Sequence, residues 1–137
     1  MTHELKYRVL DKPLAVCRLA AGAPIPSWAT EGEFFCVVRT EEEMSVVCSQ
    51  DIFPAGGGEH ARDEIKVEHG WVALKLEGPF PFAMTGVLAS VLTPLAEAKI
   101  PIFAVSTFDT DYVLLKAVDL EGARKALGTA GHREIAG

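Results

Sequence analysis

One stretch of this sequence occurs twice in altered form, and that repetition limits the folds open to it. Phe35–Asp51, FCVVRTEEEMSVVCSQD, lies over Phe103–Asp119, FAVSTFDTDYVLLKAVD. In that overlay Phe35 meets Phe103, Val37 meets Val105, Val46 and Val47 meet Leu114 and Leu115, and Asp51 meets Asp119. Each copy sets an acidic turn, Glu41 and Glu43 or Asp109 and Asp111, between two alternating apolar runs, which is the pattern of a β-hairpin. Upstream, AVCRLA from Ala15 lies over VALKLE from Val72, and each is followed by Pro-x-Pro: Pro24 and Pro26, then Pro79 and Pro81. The second copy carries the longer segment between its Pro-x-Pro and its hairpin.

That longer segment predicts a helix over Phe82–Ala98. Val87, Leu88, Val91, Leu92 and Leu95 make one apolar stripe suited to lying on a sheet. Pro94 deletes one backbone hydrogen bond and predicts a kink near Ser90. The first copy has room for about one helical turn, near Ile25–Ala29. The remaining expectations are strand Leu14–Ala20, hairpin Phe34–Thr40 with Met44–Gln50, and a loop Asp51–Arg62 holding Gly56-Gly57-Gly58. Strands Glu64–Glu68 and Trp71–Glu77 should turn at His69-Gly70. Hairpin Ile102–Thr107 with Asp111–Val118 leads to helix Leu120–Leu127, capped by Asp119 and Gly128, and a short strand His132–Ile135. Each half reads strand-helix-strand-strand-helix-strand. The fold class is α+β: two ferredoxin-like βαββαβ units, antiparallel sheets with helices on one face, the first with shortened helices. The expected division is 1–65, a degenerate first unit, and 66–137.

Composition excludes several classes of function. Hydrophobic residues make up 49% of the 137, enough for a core, and the formal net charge is −6, from 13 basic and 19 acidic residues. No basic stripe occurs, so nucleic acid and anionic membranes are not expected partners. The most apolar stretch, Phe80–Val105, is broken by prolines and by Glu97 and Lys99, so no spanning helix is expected. MTHELKYRVL has no apolar core of a secretory signal, and Cys17, Cys36 and Cys48, an odd count in predicted strands, read as reduced thiols. A cytoplasmic protein is expected. Gly56-Gly57-Gly58 lacks the Lys-Ser/Thr of a phosphate loop, His60 and His69 read as exposed, and no metal-ligand spacing is present. No cofactor, metal or catalytic group is expected, and the chain reads as not an enzyme.

Thr85–Leu115, TGVLASVLTPLAEAKIPIFAVSTFDTDYVLL, resembles an ACT domain. Gly86-Val87-Leu88-Ala89 matches the glycine and aliphatics that open the first ACT helix. Leu95-Ala96, Ile100-Pro101-Ile102 and the Ser106–Asp111 turn follow in the family's order. The likeness is closest to small bacterial tandem-ACT proteins, related to the CASTOR arginine sensors and aspartokinase regulatory domains. It is strong over residues 71–128 and rests on the internal repeat over 14–50. The resemblance implies a small-molecule sensor, with a ligand, most often a free amino acid, held between ACT units, and a homodimer. It places ligand contacts at Gly86, Val87, Ser106, Thr107, Phe108 and Asp111. The first half departs there, with Arg39, Thr40 and Glu43 and no glycine-led helix.

Those residue types suit a zwitterion. A carboxylate finds N–H donors and a favourable dipole at a helix start, which Gly86 leaves open. An ammonium finds Asp111, with hydroxyls from Ser106 and Thr107 and a wall from Phe108. Structural roles compete at each position: Asp109 and Asp111 as turn formers, Gly86 as a close-packing point, and Phe108 as an interface residue. A ligand-free protein–protein interaction module is the alternative function.

Overall fold

The computed structural model describes residues 3–54, 65–81 and 83–136. The Gly56-Gly57-Gly58 loop, His60, Glu64 and the expected helix start at Phe82 lie outside the described residues. Among the described residues the elements run in the order β1 Lys6–Leu19, a 3-10 turn Ser27–Thr30, β2 Cys36–Arg39, β3 Met44–Ser49, β4 Lys66–Leu76, α1 Val87–Glu97, β5 Phe103–Ser106, β6 Asp111–Lys116, a 3-10 turn Ala117–Asp119, α2 Leu120–Thr129 and β7 Arg133–Glu134. The chain divides into two compact units: Lys12–Trp71, and Met1–Asp11 together with Val72–Gly137. The sequence reading cuts the chain once, between 65 and 66. The observed grouping is discontinuous because β1 and β4 each begin in one unit and end in the other.

In the Lys12–Trp71 unit, β3 pairs antiparallel with β1 and with β2, so Val46 faces Cys17 on one side and Val37 on the other. The 3-10 turn stands where the second copy has a helix, as its length required. Ala15, Cys17, Leu19, Trp28, Ala29, Met44, Val46 and Cys48 form the core. The Trp28 ring meets Phe53 edge-on with centroids 4.9 Å apart, and Phe53 meets His69 in the same way at 5.7 Å. All three cysteines are free, Cys17 and Cys48 buried and Cys36 half-buried. The expected reversal at His69-Gly70 does not occur. β4 continues through it, with Gly70 at φ +80° and its N–H given to Gln50 Oε1 at 2.7 Å. A glycine in a left-handed conformation here bends a strand rather than ending one.

In the discontinuous unit, β4 neighbours β1 and β6, and β5 lies beyond β6. β5 and β6 form the expected hairpin, Phe103 opposite Leu114 and Ser106 opposite Asp111. β7 pairs parallel with the start of β1, Lys6 opposite Arg133. The helix stripe is as the sequence implies: Val87, Val91 and Leu95 are buried with Leu74, Leu76, Val113, Leu115 and Leu127, and Leu88 and Leu92 pack at the rim. Both helix ends differ from expectation. α1 starts at Val87, because Gly86 at φ +80° sets the chain's entry angle. The Asp119 side chain makes no cap bond, since a 3-10 turn feeds directly into α2. Gly128 lies inside α2, and Gly131 at φ +94° follows its end.

Candidate functional site

Helix α1 begins with N–H groups on Val87, Leu88 and Ala89 that precede the first intrahelical donor, Ser90, whose N–H bonds Gly86 O at 3.0 Å. Early helix donors of this kind carry the positive end of the helix dipole. Gly86 has no side chain, and the space a Cβ would enter is bordered by the His3 ring, with Nε2 at 3.7 Å and Cδ2 at 3.8 Å. His3 Nε2–H donates to Thr85 O at 2.9 Å, and His3 N–H donates to Ser90 Oγ at 3.1 Å. Val87 points its side chain into the core, so only its backbone is available at this end.

The β5–β6 turn holds the other candidates. Ser106 Oγ–H donates to Asp111 Oδ1 at 2.5 Å, across a directly opposed pair of the hairpin. Thr107 spends its hydroxyl on the turn: it donates to Thr110 O at 3.0 Å and accepts Thr110 N–H at 3.3 Å. Phe108 stands at the tip, 78% exposed. The turn is tied to the segment that leads toward Gly86. Thr110, only 7% exposed, donates Oγ1–H to Leu76 O at 2.6 Å, and Phe80 N–H donates to Asp109 O at 2.9 Å. The structure therefore joins Ser106 to Asp111 directly and the turn to Leu76 and Phe80; these bonds do not reach Gly86 or Val87.

Sequence reasoning passes over His3 and His132 as near-terminal residues. His132 is 5% exposed. Its Nδ1 accepts Leu5 N–H at 3.0 Å, and its Nε2–H donates to Ser90 O at 2.7 Å. Ser90 O is the carbonyl that residue 94 would bond in an uninterrupted helix, and Pro94 has no N–H to give. The one clue in the sequence was Pro94, which marks a carbonyl in need of a donor. Nothing local names the donor, forty-two residues away in the chain.

An ACT-domain family model matches residues 66–129. Residues 66–129 are an ACT domain. The model of another family's N-terminal domain matches residues 13–56. The human protein CASTOR3P is 30% identical over 99 residues, 66% of this chain and 59% of that protein, so the chain spans little more than half of that relative. An Agobacterium tumefaciens protein of known crystal structure is 37% identical, with 99% of this chain and 96% of that one covered and a TM-score of 0.87. The ligand-free regulatory subunit of aspartate kinase from Thermus thermophilus is 12% identical, covers 90% of this chain and 95% of its own, and has a TM-score of 0.68, a likeness of fold alone. The α+β architecture is that of ferredoxin-like units, the fold shared with that subunit. Among the described residues no helix is long and apolar enough to cross a membrane, and no group of three or more His, Cys, Asp or Glu could hold a metal ion.

Proposed function

We propose that this ACT protein is a non-catalytic, cytoplasmic regulatory subunit that binds a free amino acid, acting as a homodimer in which an ACT unit of the second copy completes the site. Gly86 and Val87 offer backbone donors to the carboxylate. Asp111 takes the ammonium, with Ser106 and Thr107 around it and Phe108 covering the stem. The observation that carries this reading is the Asp111 carboxylate. Its Oδ1 is oriented by Ser106, while Oδ2 accepts no hydrogen bond from the described residues, leaving a positioned acceptor for a cation. Ser106 therefore acts through Asp111 rather than on the ligand itself. Thermal unfolding against each of the twenty amino acids tests this. A ligand at about 100 times its Kd adds roughly 2.7 kcal/mol, and Asp111→Ala should abolish that shift. Twenty flat curves, or a shift that survives Asp111→Ala, would refute the site.

A second reading, a ligand-free protein–protein interaction module, is favoured by the exposure of Phe108 and Val118. In that case Phe108→Ser weakens self-association or partner binding while no amino acid shifts stability.

A further inference from the structure

We infer that His132 is a proton-sensitive latch that holds the His3–Leu5 segment over the start of α1. Its effect on binding rests on the proposed site; its effect on the segment does not. The latch needs a neutral imidazole. Nδ1 must keep its lone pair to accept Leu5 N–H, and Nε2 must carry the hydrogen that Ser90 O accepts. Protonation leaves the Ser90 bond intact. It places a new N–H on Nδ1 facing Leu5 N–H, where two donors repel. In a site that is 5% exposed, water does not readily take over the lost bond.

The segment released is the one that covers Gly86. His3 lies two residues before Leu5 and borders the space above Gly86 at 3.7 Å. Its anchors are Thr85 O and Ser90 Oγ. His3 is the other imidazole on this segment, with its Nε2–H given to Thr85 O. The other titratable groups around the latch are few. Glu4 lies against Gly131, within 2.5 Å of the Cβ position there. Arg133 and Glu134 sit on β7, Glu134 is paired with Arg124 of α2, and Tyr7 is their neighbour on β1. At the latch itself α1 presents Ser90 and α2 presents Leu127 O, to which His132 N–H donates at 2.9 Å. Among the described residues Glu4 is the carboxylate set against Gly131, the neighbour of His132 in the chain.

Lowering pH through the range in which histidine charges, about pH 8 to 5, should therefore free His3–Leu5 and uncover the α1 N-terminus. Imidazole nitrogen NMR and amide exchange, corrected for intrinsic pH dependence, test this on the full chain. At the high end His132 should show the Nε2–H tautomer and Leu5 a protected amide. As His132 gains a proton, Leu5 protection should fall at least tenfold, in His3→Gln and Glu4→Gln as in wild type. In His132→Gln, which offers one donor and one acceptor without titrating, Leu5 protection should not vary with pH. The inference is overturned if His132 fails to titrate in this range, or if it titrates with Leu5 protection unchanged. Neither readout uses a ligand, so failure of the binding site leaves the latch test intact. Where the twenty-amino-acid assay gives a hit, tighter binding at the low end that persists in His3→Gln and vanishes in His132→Gln extends the latch to the site.

Discussion

The partnership of Pro94 and His132 can be measured as a double-mutant cycle. His132→Leu removes both ring bonds while keeping apolar bulk in the core. It leaves Leu5 N–H and Ser90 O without their partners, and an unsatisfied buried backbone group costs about 1–3 kcal/mol. The expected loss is therefore about 2–6 kcal/mol, a large part of the roughly 5–15 kcal/mol that holds a domain folded. Pro94→Ala restores an N–H aimed at Ser90 O and removes a residue that costs up to about 3 kcal/mol inside a helix. In that background His132→Leu should be milder by about 1–3 kcal/mol, the share belonging to Ser90 O, while the Leu5 share remains. Urea unfolding of the four proteins, followed by circular dichroism, gives the coupling. If His132→Leu costs the same in both backgrounds to within about 0.5 kcal/mol, the imidazole does not stand in for the missing helix bond.

The other predictions concern single sites. Thr110→Val removes a 2.6 Å bond to Leu76 O at a buried position, and urea unfolding should show a loss of about 1–3 kcal/mol. Gly86→Ala meets no atom nearer than 3.7 Å, so its cost is the left-handed backbone alone, about 1–2 kcal/mol by thermal unfolding; a larger loss would mean a clash the structure does not contain. The Cys17 thiol is pushed up by its hydrogen bond to Cys48 and by burial, so the folded chain keeps a proton that the unfolded chain loses. Folded-state stabilisation from Cys17 is complete below the ordinary thiol range and is lost as pH rises beyond it. The fall in stability above about pH 8.5 should shrink in Cys17→Ala, and native Cys17 should resist alkylation.

What could be read from the sequence was what is local and periodic. Both hairpins follow from alternation, and the α1 stripe from its spacing, because those signals lie within a few residues of the contacts they cause. The first half of β1 was not legible. Lys6 to Pro13 is largely charged or half-buried and ends at a proline, and its strand partners come from later in the chain: β4 beside β1, and β7 at Lys6 and Tyr7. His69-Gly70 misleads for a related reason. A His-Gly pair between apolar runs favours a hairpin locally, and here the strand continues through it, with Gly70 N–H bonded to Gln50 Oε1. At the candidate site, the types of residue were legible but their commitments were not. Thr107 is occupied by its own turn, Ser106 is occupied by Asp111, and His3 arrives beside Gly86 by bonding Thr85 across eighty-two residues of chain.

The passage of β1 through both units sets the order in which a growing chain can mature. Lys12–Trp71 is contiguous, so it can collect its own contacts once Trp71 has been made. Its partner unit cannot. Leu5 meets its imidazole 127 residues later, and Lys6 and Tyr7 wait as long for β7. Bringing such distant segments together carries a large loop-closure cost. At about 5–20 residues per second, several seconds of synthesis separate the first strand from the residues that complete its unit, and for that interval the side of Lys6 and Tyr7 that faces β7 is an unpaired edge.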